Sequence, residues 1–96
     1  MIQHNVCFKL ADSSEEEKER VKQLLLSMRG AVPTAKSVTV GTDFLCSARS
    51  YDVLLQVLVE DRDELEEYQN DPYHCGVVKA YLKDHAVSTI AIDCEI

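Results

Sequence analysis

Along the first ten residues, Ile2, His4, Val6, Phe8 and Leu10 alternate with Gln3, Asn5, Cys7 and Lys9. That is the period of two of a strand with one face buried. Asp12, Ser13 and Ser14 then precede a run of glutamates, and Ser13 with Glu16 or Ser14 with Glu17 fits a capping box that opens a helix. Val21, Leu24, Leu25 and Met28 follow with the i, i+3, i+4, i+7 spacing of one buried helical stripe, and Gly30 with Pro33 supplies the stop. Residues 37–44, rich in Val and Thr, predict a second strand in which Gly41 marks a bulge or close backbone contact. In the segment 51–60, Tyr51, Val53, Leu55, Val57 and Val59 share one face of a third strand while Leu54 and Leu58 lie on the other.

Asp61 with Glu64 offers another capping box, for a short helix carrying Leu65 and Tyr68. Asp71-Pro72 interrupts it, because proline disfavours helix at the residue before it yet suits the first turn of a new one. Asp71 is thus expected to cap a further helical segment over residues 72–83. From Val87 to Ile96 alternation returns, with Ile90, Ile92, Cys94 and Ile96 on one side of a last strand. The order β-α-β-β-α-β is that of an α+β, ferredoxin-like fold, its helices packed on one face of a four-stranded antiparallel sheet. The third strand is apolar on both faces and the helices suffice for one, so the open face calls for a second copy of the chain.

The 96 residues are read as a single domain, 1–96, since a chain of this length is too short for two independent cores. A formal charge of −7 works against binding nucleic acid, which needs clustered cations to displace counterions. Cys7, Cys46, Cys75 and Cys94 form no C-x-x-C pair, so neither a redox motif nor a zinc site is read, and free thiols in the cytoplasm are expected. No apolar stretch approaches the roughly 18 residues of a membrane span. No cofactor or metal requirement is read from the chain.

Several short segments carry a resemblance to a known family. They are the opening Ile2, His4, Val6, Phe8, Lys9, Leu10 and Asp12; Val40-Gly41-Thr42-Asp43; Ser50-Tyr51-Asp52; the segment from Tyr68 through Asp71-Pro72-Tyr73 to His74; and Asp93. Together, and in this order, they resemble the stress-responsive A/B-barrel (Dabb) proteins over nearly the whole chain. The resemblance implies a ferredoxin-like monomer whose open sheet face packs on that of its twin, giving a homodimeric α/β barrel. The chain is also similar to the plant members of the family that are polyketide cyclases, of the olivetolic acid cyclase type. In these a tyrosine and a histidine matching Tyr68 and His74 carry catalysis, with a further pocket histidine matching His4.

Such chemistry needs a group that removes a proton alpha to a carbonyl and a donor for the enolate oxygen, and the resemblance implies His74 as base and Tyr68 as donor. The structural alternative is that His74 donates to a backbone carbonyl at the helix junction, that Tyr68 fills the core with its hydroxyl at the rim, and that His4 is a satisfied core residue. His85 is expected at the surface. A pocket would be lined by His4, Val6, Phe8, Leu25, Leu55 and Val77; where the cyclases have aromatics and a glycine, this chain offers Leu25 or Leu26 and Val77 with Val78. Three functions follow: a dimeric family member of undetermined activity, a lyase or cyclase for a small carbonyl compound, or a non-catalytic module for a small-molecule ligand. A cavity of about 300 Å³ or more touching His74 and Tyr68 would favour the second.

Overall fold

A computed structural model describes residues 1–96. The elements run β1 (Ile2–Leu10), α1 (Glu15–Leu26), β2 (Ser37–Thr42), β3 (Val53–Val59), α2 (Arg62–Gln69), a π-helical turn (His74–Lys79), α3 (Ala80–His85) and β4 (Ala86–Glu95). The four strands form one antiparallel sheet in the order β2-β3-β1-β4, so the first and third strands are central. This is the ferredoxin-like arrangement that the hydrophobic pattern predicts.

The two periodicities meet in one core. Ile2, Phe8 and Leu10 of β1 and Val53, Leu55, Val57 and Val59 of β3 are buried against Val21, Leu25 and Met28 from the α1 region and against Tyr68, Val78 and Leu82. Full burial of an aliphatic side chain of this size stabilises by roughly 1.5–3 kcal/mol before entropy is counted. α1 starts where Ser14 Oγ accepts from the Glu17 amide at 3.2 Å. It ends at Leu26, earlier than the spacing suggested, because the amides of Met28 and Arg29 turn back onto carbonyls three residues before them. That tightened turn still keeps Met28 on the buried stripe, and Gly30 at φ +77° then takes the left-handed conformation that lets the chain leave.

Gly41 does not mark a bulge: it pairs with Leu54 in an unbroken β2–β3 register. The irregularity lies between β1 and β4, where Lys9 faces Ser88 but Leu10 faces Ala86, leaving Val87 as the extra residue. The sheet face away from the helices carries Leu54, Ile90 and Ile92, all exposed, around a polar centre in which Gln56 Nε2 donates to Asn5 Oδ1 at 3.0 Å. No helix is long and apolar enough to cross a membrane.

Candidate acid–base site between the sheet and the broken helix

The break at Asp71-Pro72 builds one wall of the site. Asp71 Oδ1 accepts from the amides of Tyr73 at 2.9 Å and His74 at 3.1 Å, satisfying two N–H groups that a helix start would otherwise leave orphaned. The chain then runs from His74 to Lys79 in π-helical geometry before returning to α-helix. A π turn takes one more residue than an α turn, so the inward face is re-phased along the segment. As a result His74, Val78, Lys79, Leu82 and Lys83 all border one cavity.

The cavity holds about 530 Å³ between this segment and the β1–β4 half of the sheet. Val6, Phe8 and Leu55 form its sheet wall, with Val87 at the β1–β4 bulge, and Gln69, Ser88 and Thr89 add polar groups. His4, Val6, Phe8, Leu55 and His74 are therefore placed on it as the sequence suggested. Leu25 and Val77 are not. α1 packs over β2 and β3, at the other end of the sheet, so Leu25 is fully enclosed in the core there. The extra residue of the π turn brings Val78 inward and leaves Val77 on the outside, 41% exposed.

Tyr68 also lies off the cavity wall. It is fully buried on α2, and its hydroxyl donates to Met28 Sδ at 3.7 Å, inside the core and not at the rim. Its ring sits between two imidazoles, with centroids 4.4 Å from His74 and 5.5 Å from His4. Burial, with Asp71 nearby, holds its phenol far above the ordinary range, so Tyr68 stays neutral and takes no part as a base.

His4 is partnered across the sheet. The β1–β4 register sets it opposite Asp93, and Nδ1 of the imidazole bonds to the Asp93 carboxylate, whose side chain keeps 40% of its exposure while that of His4 keeps 9%. A carboxylate on Nδ1 fixes that nitrogen as the protonated one and leaves Nε2 for other work.

His74 is built differently: it is only 7% exposed and its Nδ1 has no hydrogen-bond partner. Burial first, and the Lys79 ammonium and His4 after it, push its pKa below the usual 6.5, against a smaller opposing pull from the Gln69 carbonyl and Asp71. His74 is thus neutral at pH 7. His85, expected as a surface residue, is half-buried and stacked on Tyr81 at 3.8 Å, with Nδ1 against the Tyr81 carbonyl at 2.7 Å.

The stress-responsive A/B barrel domain matches residues 2–96 of the sequence. The chain belongs to that family. Among proteins with curated descriptions, none matches the sequence. Solved structures share the Dabb chain's fold at low identity. One is a dimeric ferredoxin-like protein of unknown function from Thermobifida fusca, 23% identical, covering 99% of this chain and 90% of its own, with a TM-score of 0.81. A second is a Dabb family protein with a ferredoxin-like fold from Mesorhizobium loti, 20% identical over 99% and 95% of the two chains, TM-score 0.71. A third is a hydroxynitrile lyase from Passiflora edulis, 12% identical over 99% and 92%, TM-score 0.80.

Sequence reasoning missed Gln69, Lys79, Lys83, Ser88 and Thr89 of the Dabb cavity, and it named Asp93 without its pairing to His4. The β1–β4 register carries that pairing. It was within reach in principle, since antiparallel strands at the two ends of the chain place an early β1 residue opposite a late β4 one.

Proposed function

We propose that this Dabb chain is a homodimer joined through the open face of its sheet, and that the cavity on the helix side catalyses proton transfer on a small carbonyl compound. The observation that carries the catalytic reading is the pair of unlike imidazoles on one cavity: His4, anchored by Asp93, and His74, neutral and without a partner on Nδ1. In the reaction one imidazole takes a proton from the carbon alpha to a carbonyl, the C–H electron pair moves through the carbon to the carbonyl oxygen, and the other imidazole donates a hydrogen bond to that oxygen. Return of the proton completes the cycle with no other reactant.

The family resemblance gives the base to His74 and the donor to Tyr68. The geometry favours another division. Asp93 stabilises the imidazolium that His4 becomes on taking a proton, in the manner of a carboxylate behind a catalytic histidine. His74, with its pKa lowered and Lys79 nearby, is better suited to remain neutral and to donate. Tyr68 then holds the two rings apart and oriented. A protein of the same fold, 12% identical, is a hydroxynitrile lyase, so the fold is one that hosts an enzyme.

The test uses phenylacetone in D₂O, with loss of its α-proton signals followed by NMR. Exchange above background is expected from the wild type, and Asp93→Asn should lower it about 10²-fold, the usual worth of a positioned base. Full activity in Asp93→Asn with loss in His74→Ala would return the base to His74, and no exchange above background from the wild type would overturn the catalytic reading. The dimer rests on exposed Leu54, Ile90 and Ile92 and on dimeric relatives of the same fold. Light scattering should give twice the chain mass for the wild type and a smaller mass for Ile92→Asp; a wild-type monomer would refute it.

A further inference from the structure

The cavity differs in charge from the rest of the chain. The sequence holds 17 acidic and 10 basic residues, yet none of the 14 residues lining the cavity is Asp or Glu, and its charged members are Lys79 and Lys83 beside the two histidines. The two lysines lie four apart across the junction of the π turn and α3, so they project from one side of the segment. Both are exposed, at the mouth, above apolar walls of Phe8, Val78 and Leu82. Neither is engaged by a carboxylate: Lys79 Nζ donates to the Gln69 carbonyl at 3.1 Å, and no ion pair joins either residue. Two unpaired ammonium groups at the opening of an apolar cavity match a ligand with an apolar body and an anionic end.

Resting on the reading of this cavity as a ligand site, we propose that its substrate class is a small carbonyl compound bearing a carboxylate, such as an oxo acid. Lys79 and Lys83 hold the carboxylate at the mouth while the carbonyl end lies inward, toward His4 and His74. The arrangement also keeps neutral metabolites at a disadvantage, because they offer neither ammonium group an anionic partner. Phosphate backbones, too large and lacking the apolar body, gain nothing from the walls.

A matched pair of non-reacting probes tests this apart from catalysis: trans-cinnamate and cinnamamide, which differ in charge and hardly in shape, titrated by calorimetry at low salt. Cinnamate should bind the wild type roughly tenfold tighter or more, the worth of a charge-assisted contact. Lys79→Gln with Lys83→Gln should abolish the preference and leave cinnamamide affinity unchanged, whereas Lys22→Gln, remote on α1, should leave the preference intact. Equal affinity of the two probes for the wild type, binding of neither at millimolar concentration, or a preference that survives the double substitution would each overturn the anionic subsite. Phenylacetone is uncharged, so its exchange reports on the histidines regardless of that outcome.

Discussion

The two ends of the helix-covered sheet face are built from the same layers and do opposite things. Under α1, Val21, Leu25 and Met28 interdigitate with the β2–β3 half and leave no exposed surface on any of the three. Under the π turn and α3 the layers part around a cavity of about 530 Å³. The difference traces to helix continuity. α1 is an uninterrupted 12-residue helix that holds one apolar stripe in register, while the second helical region is broken at Asp71-Pro72 and re-phased by the π turn. A broken helix cannot present a single stripe, so His74 comes inward together with Val78 and Leu82 while Lys79 and Lys83 stay at the mouth. Close packing gives stability at one end, and its absence gives access at the other.

The sharpest way to break that contrast is to truncate one side chain at each end. Leu25→Ala should lower unfolding free energy by about 2–5 kcal/mol, the range for a large-to-small change in a packed core. His74→Ala should cost well under that in the same denaturant titration, because the imidazole leaves a buried nitrogen unsatisfied and borders space that water can fill. Equal losses at the two ends would mean that the cavity is as tightly built as the core.

A smaller effect concerns pH. The folded chain disfavours protonated His74, whereas the unfolded chain binds the proton with the ordinary pKa near 6.5. The unfolded state therefore holds more protons just below pH 6.5, and stability falls as pH drops through that value toward the lowered folded pKa. Replacing His74 with Gln should flatten this slope in urea titrations between pH 7 and pH 5; an unchanged slope would show that the imidazole accepts its proton freely in the folded chain. Smallest of all, Tyr68→Phe removes a hydroxyl whose sole partner is the thioether of Met28, a weak acceptor. Melting should move by no more than about 1 kcal/mol, and exchange of phenylacetone should stay within about threefold of the wild type; a loss approaching that of Asp93→Asn would restore Tyr68 as the donor.

The elements were legible because period and punctuation agreed. Alternation in residues 2–10, the cap at Ser14, and Asp71-Pro72 each had a local cause that the structure keeps. What escaped was phase and partnership. Nothing in HCGVVK announces a π turn, and a single added residue decides that Val78 and not Val77 faces the cavity. Tyr68 was placed correctly in the interior, but its hydroxyl direction depends on Met28, forty residues away and in a turn beyond the end of α1. The assignment of Leu25 to the cavity failed for a related reason: helical spacing says that a residue is buried, and only the sheet order says over which strands.

The bond between His4 and Asp93 spans 89 positions of the chain. During synthesis, which proceeds from the N-terminus, β1 waits as a strand with two empty neighbours, gains β3 first, and receives β4 last. Such distant pairing makes folding slow for a domain of this size. The imidazole thus meets its carboxylate only after β4 has been made, and the site is assembled only once that strand has zipped onto the first.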